Sequence, residues 1–131
     1  MQEPLIDTIY SSVGTDEPYY RLVDHFYQGV ETDPILRPLY PADLTDAKRH
    51  LSLFLIQRTG GTPTYSQERG HPRMRGRHMP FKIGIAERNA WMTHMDNALA
   101  SVAEFADHRQ ILHNFFADFA TFMINQPAAD G

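Results

Sequence analysis

Three observations predict an all-α fold. Apolar residues recur at the 3.6-residue helical period in several separate stretches. No segment alternates apolar and polar residues at period two, so no strand is expected, and no internal repeat is visible. The long interruption Gly60–Phe81 (GGTPTYSQERGHPRMRGRHMPF) is too rich in Gly, Pro and Arg to continue a helix. The expectation is about five helices and one long irregular connection, and irregular chain of that length is usually functional.

The elements follow in order. Pro4 to Tyr10 places Leu5, Ile6, Ile9 and Tyr10 on one face of a short helix, which breaks at Val13-Gly14. Asp16 is a good N-cap, with Glu17 and Pro18 in the first turn of a second helix. Its apolar face is Leu22, Val23, Phe26, Tyr27 and Val30, and Thr32-Asp33-Pro34 ends it. Ile35 to Asp43 holds two prolines, directly after Pro34, and reads as a tight corner with a turn of helix carrying Tyr40. Thr45 or Asp43 can cap a third helix, in which Leu44, Ala47, Leu51, Phe54 and Leu55 share a face. Gly60-Gly61 closes it, allowing a left-handed cap and a sharp exit. After the irregular stretch a long helix spans roughly Ile85 to Phe105. Trp91, Met92, Met95, Leu99 and Val102 point inward on it, and Glu87, Arg88 and Asn97 outward. Asp107 with Gln110 resembles a capping box for a last helix. That helix carries the aromatic stripe Ile111, Leu112, Phe115, Phe116, Phe119, Phe122 and Met123. Residues 125–131 read as a frayed tail.

A chain of 131 residues suits a single domain (1–131) and can bury a core without staples. No apolar run approaches a membrane span, so no integral membrane segment is expected. The acidic, interrupted N-terminus MQEPLIDTIYSSVG does not read as a secretory signal, and a cytoplasmic location fits. The absence of cysteine excludes disulfides, thiolate catalysis and iron–sulfur clusters. Eight phenylalanines, six tyrosines and six methionines suffice to line a wide apolar cavity.

Three constellations carry chemistry. Arg58, Arg69, Arg73, Arg75, Arg77 and Lys82 lie close together in sequence, with Glu68 as the acid among them. Nucleic acid usually needs a basic domain and interleaved aromatics, and this chain has a net charge of −4, so no nucleic-acid partner is expected. A small anionic ligand or plain solvation fits the cluster better. No histidine pair has the HExxH spacing, and no serine lies in a nucleophile context. His78 stands directly before Met79-Pro80, which stops a short helix there. A histidine on such a turn, facing a large apolar cavity, is how a haem iron is held; a solvated histidine in a surface loop is the plainer alternative. Tyr27, Tyr40 and Trp91, on inward stripes of different elements, either pack as core or converge as donors on one cavity.

Three blocks then carry a family likeness: HFYQGVETDPILRPLYP (25–41), LFLIQRTGGTPTYSQERGHPRMRGRHMPF (53–81) and IAERNAW (85–91). The chain resembles the group II (O-type) truncated haemoglobins from about residue 5 to 125, with a tryptophan thirteen residues beyond the histidine. The resemblance implies a two-over-two helical sandwich enclosing haem b, with His78 as the proximal iron ligand. It implies Tyr27, Tyr40 and Trp91 as polar distal residues around a bound ligand. Ala47 would stand where many globins have a distal histidine, opening an access route, with Leu51 packed beside the ligand. The implied haem walls are Leu44, Phe54, Met74, Phe81, Ile83, Met95 and Phe119. Propionate partners would be Tyr65, His71 and Arg77.

The sequence departs from the family in three places. Arg58-Thr59 replaces a usual Tyr-Trp, His50 replaces a usual propionate-reaching Arg or Lys, and Val13-Gly14-Thr15 lacks a second glycine. The implied function is reversible binding of dioxygen and other small ligands at a five-coordinate haem with a polar distal pocket. A haem redox enzyme, acting on peroxide, nitric oxide or nitrite, is the alternative. A reductase partner and a homodimer are compatible with either.

Overall fold

The computed structural model describes residues 6–71, 73–78 and 81–126, the side chains of Met74 and Arg75 excepted. The start of the expected first helix, the Met79-Pro80 stop and residues 127–131 of the expected tail lie outside the described residues. The helices are α1 (Ile9–Val13), α2 (Glu17–Glu31), α3 (Thr45–Arg58), α4 (Thr64–Arg69), α5 (Met74–His78), α6 (Ile85–Ser101) and α7 (Arg109–Phe122). No strand occurs among the described residues.

Two antiparallel pairs make the sandwich. In the first pair, Tyr19 and Asp24 of α2 meet Thr59 and Lys48 at the opposite ends of α3. In the second, Arg88 and Asp96 of α6 meet Thr121 and His113 of α7. The pairs pack where α2 crosses α6. The apolar face of α2 buries Leu22, Val23, Phe26, Tyr27 and Val30 there, opposite Met92, Met95, Leu99 and Val102. Each large side chain so buried is worth roughly 1.5–3 kcal/mol, which outweighs any local propensity in setting the fold.

One expected cap keeps its place and two do not. Asp16 makes no cap bond, and its carboxylate accepts the Tyr10 hydroxyl at 2.6 Å instead, which ties α1 to α2. Asp43 Oδ1 accepts the Thr45 N–H at 2.9 Å, so Asp43 serves the start of α3. The long helix ends at Ser101, not near Phe105, because Val102 is extended (φ −114°, ψ 107°). Residues 103–108 then form a 3-10 turn in which the buried Phe105 meets Tyr19 edge-on at 5.1 Å. Asp107 falls inside that turn, so the expected capping box with Gln110 does not form, and α7 starts at Arg109 without a side-chain cap. Phe122 leaves the aromatic stripe and is 61% exposed. At 100° per residue it lies about 120° round from the face of Leu112, Phe116, Ala120 and Met123.

The irregular connection is less irregular than its composition suggests, since it contains α4 and α5. Gly60 opens it with φ 103°, and a side chain there would place Cβ 2.0 Å from the Asp7 carbonyl oxygen. Glycine alone fits both demands. The Arg58-Thr59 departure has its own packing. The Arg58 guanidinium lies 5.3 Å over the Phe115 ring, and the buried Thr59 hydroxyl donates to the Leu55 carbonyl at 2.8 Å. Thr59 Oγ1 in turn accepts the Tyr19 hydroxyl at 2.6 Å. Thr59→Val should therefore strand a buried phenol and cost about 1–3 kcal/mol. Chemical denaturation checks this: Tyr19→Phe should cost less, and the double variant less than Thr59→Val alone, because no phenol is then left stranded.

Candidate functional site

A cavity of about 380 Å³ lies between the pairs, bounded by the corner after α2, by α3, α4 and α5, and by α6 and α7. Its volume falls in the range of small-molecule and cofactor sites. Most of its wall is apolar, from Leu36, Leu39, Leu51, Phe54, Ile83, Phe119 and Met123. Phe54 packs edge-on to Tyr65 at 5.7 Å and beside Phe119 at 5.6 Å, which fixes that wall.

Three polar aromatics converge at one side. Tyr27 comes from α2 and is buried, and its ring meets Tyr40 edge-on at 5.4 Å. Trp91 comes from α6, wedged against Phe26 at 5.1 Å and Phe116 at 5.6 Å. Burial pushes the Tyr40 hydroxyl up to about 12, against the opposing effect of hydrogen bonds to its oxygen from Trp91 and Tyr27. Burial likewise raises Tyr27, first among its causes. Both phenols stay protonated at neutral pH, so the cluster presents donors rather than phenolates.

His78 lines the cavity from the end of α5, half-buried, with Arg77 beside it. The chain that follows is stapled by Asn125, which the sequence reading assigned to a tail. Its amide donates to the carbonyls of His78 (3.3 Å) and Phe81 (2.7 Å) and accepts the Ile83 N–H (2.9 Å). A second imidazole, His50, lines the cavity from α3. Arg69 Nη1 lies 2.6 and 2.8 Å from its two ring nitrogens. Burial, then the neighbouring Arg69 charge, pushes His50 below its ordinary value, so it is neutral and Arg69 is the cation there. Arg69 Nε is buried without a hydrogen-bond partner, and Arg77 Nη2 donates to the Arg69 carbonyl at 2.9 Å. A half-buried guanidinium whose Nε–H is unmatched suits an anionic acceptor.

The structure thus gathers Tyr27, Tyr40, Ala47, His50, Leu51, Phe54, Tyr65, Arg77, His78, Phe81, Ile83, Trp91 and Phe119 around one cavity. Leu44 and Met95 are buried in the helical core and do not line it. His71 is exposed away from it, its Nδ1 accepting the Arg73 N–H at 3.2 Å. The Met74 side chain lies outside the described residues.

Sequence reasoning missed Leu36, Leu39, Asp46, Arg69, Glu87, Arg88, Ala120 and Met123 on the wall. Helical spacing held the signal for several: Glu87 and Arg88 are one turn before Trp91, Asp46 one turn before His50, and Met123 one turn after Phe119. Glu87 and Arg88 accordingly are half-buried, not outward. Glu87 accepts the Gly84 N–H at 2.7 Å, and Arg88 donates to Thr121 at 3.2 Å. Among the described residues no group of three or more His, Asp or Glu could hold a metal ion. No helix there is long and apolar enough to cross a membrane.

Comparison with known proteins agrees with this geometry. Residues 8–125 match the family described as bacterial-like globin. A group 2 truncated haemoglobin of Bacillus subtilis is 38% identical over 121 residues, 92% of this chain and 91% of its own. The crystal structure of a haemoglobin from Chloroflexus aurantiacus superposes with a TM-score of 0.87 at 48% identity, covering 95% of this chain and 100% of that one. The group II truncated haemoglobin of Bacillus anthracis superposes with a TM-score of 0.89 at 34% identity, covering 99% and 98%. With its two crossed helix pairs and the cavity between them, the chain belongs to the bacterial-like globin family, among the group II truncated haemoglobins.

Proposed function

We propose that this protein holds haem b in the cavity and reversibly binds dioxygen and other small ligands at a five-coordinate iron. The observation that carries the reading is the convergence of Tyr27, Tyr40 and Trp91 on the same cavity that His78 lines. The residues fit the group: an apolar enclosure, an imidazole, and a buried cationic corner whose Arg69 Nε has no partner. Haem, when bound, would supply an iron able to take up a diatomic ligand.

In this reading His78 Nε2 or Nδ1 holds the cofactor from the α5 side, and the Asn125 staple keeps its turn in place. Trp91 and Tyr40 offer an N–H and an O–H toward a ligand that gains partial negative charge, while the surrounding aromatic wall excludes water. Both donors are neutral, so neither delivers a proton that would promote oxidation. Ala47 keeps the α3 side of the pocket small and open. Arg69 and Arg77, with Tyr65, would hold the propionates; Arg69 brings to the His50 position the cation that His50 itself lacks. The proposal includes a single cytoplasmic domain served by a reductase, because dioxygen binding needs the ferrous state.

The test is haem uptake followed by gas binding. One haem per chain should load, and the ferrous form should take up and release dioxygen reversibly. Turnover of peroxide or nitric oxide much faster than autoxidation would instead make the protein a redox enzyme. Failure to take up haem stoichiometrically would remove the reading. The cationic corner gives a separate result: Arg69→Met and Arg77→Ala should each speed haem loss on the order of tenfold, the worth of one charge-assisted bond. Gas kinetics should stay nearly intact in both. Parental haem loss in both variants would place the propionates elsewhere.

A further inference from the structure

The corner between α2 and α3, residues 32–44, meets α6 at two points one helical turn apart. At its far end Tyr40, its ring edge-on to Tyr27 at 5.4 Å, lines the cavity together with Trp91 of α6. At its near end the Asp33 carboxylate accepts from His94 Nε2 at 2.6 Å, both side chains being largely shielded from solvent. Trp91 and His94 are three residues apart, so they present neighbouring positions on one face of α6.

Between these two points the corner is braced by its own hydrogen bonds. Asp33 Oδ1 also accepts the Ile35 N–H at 2.8 Å, and the Asp33 carbonyl accepts the Arg37 N–H at 2.8 Å. The Arg37 guanidinium then donates to the carbonyls of Tyr40 (3.1 Å), Pro41 (3.1 Å) and Ala42 (3.2 Å). A displacement at Asp33 is thereby carried to the backbone of Tyr40. The His94 ring has its place because residue 29 lacks a side chain. A Cβ on Gly29 would sit 2.3 Å from His94 Nδ1.

We propose that His94 is a positioning residue: through Asp33 and Arg37 it sets the Tyr40 hydroxyl against Trp91, and so sets how tightly a polar diatomic ligand is held. The inference rests on the proposed function of Tyr40. It differs from a general packing role in acting on the donors alone.

The experiment measures oxygen and carbon monoxide dissociation from haem-loaded protein. His94→Leu, which keeps bulk but loses the bond, should speed oxygen release about threefold to tenfold, a fraction of what removing a donor outright costs. Carbon monoxide release should stay near the parental rate. His94→Gln, whose amide N–H can stand in for Nε2, should restore slow oxygen release. Gly29→Ala, which displaces the ring without touching the pair, should reproduce the His94→Leu effect. In a Tyr40→Phe background, His94→Leu should add nothing further, since both changes act on one group.

Unchanged oxygen release in His94→Leu, or an effect that persists in full without the Tyr40 hydroxyl, would overturn the proposal. Equal changes for the two gases would overturn it too, as would loss of folding or haem in both His94→Leu and Gly29→Ala, which would make His94 a general structural residue. A parental oxygen rate in Tyr40→Phe alone is a distinct result. It would remove Tyr40 from the ligand site, and with it the basis of the assignment.

Discussion

Alanine at position 78 should leave a chain that folds but retains little haem, or one whose haem regains its spectrum when free imidazole is added. His78 lines the cavity at the end of a short helix, and its own carbonyl is held by Phe81 N–H at 2.9 Å and by Asn125. The backbone of that turn is thus fixed by bonds that His78→Ala leaves in place. The other cavity imidazole, His50, is no substitute, because Arg69 Nη1 covers both its ring nitrogens. Losing the ligand itself should cost more than the roughly 10–100-fold typical of removing an outer-shell partner. Absorbance titration with haem and the rate of haem transfer to an acceptor protein measure this. Unchanged haem content and an unchanged spectrum in His78→Ala would remove the central assignment.

The second large effect is on oxygen release. Trp91→Phe should raise the oxygen dissociation rate on the order of tenfold to a hundredfold, the equivalent of one bond to a partly charged group worth roughly 1.5–3 kcal/mol. A phenyl ring would remain toward Phe26, Phe116 and Phe119, while the pyrrole ring and its N–H are lost, and the two gases separate the lost donor from the lost bulk. Indole nitrogen can only donate, so it never repels the ligand. Tyr40→Phe should have the smaller effect, since the Tyr27 hydroxyl beside it can take over part of its role. Carbon monoxide carries less charge when bound, and its release should change much less. Equal changes for the two gases in Trp91→Phe would mean that the tryptophan acts through size or access.

Much of this molecule was legible before any coordinates. The face of α2 follows from Leu22, Val23, Phe26, Tyr27 and Val30 at helical period, because burial of a continuous stripe dominates local folding energy. The glycine pair after Arg58 announced a left-handed exit, and Gly60 takes it. His78, Tyr27, Tyr40 and Trp91 stood out as residue types with a chemical reason to face a cavity, and the cavity collects all four.

Tertiary structure alone decided the partners. Nothing local tells Asp16 to serve Tyr10 in place of its own helix, or places Arg69 on His50 nineteen residues away. Asn125 looks like tail, yet it reaches back more than forty residues to hold the chain beside His78. His94 and Asp33 are sixty-one residues apart, and only the packed helices bring them together. The division has one physical cause. Periodicity records how a segment buries its own apolar surface, which is a property of that segment. A polar side chain takes whichever partner the packed helices bring within about 3 Å, and that is known only once the helices have been packed.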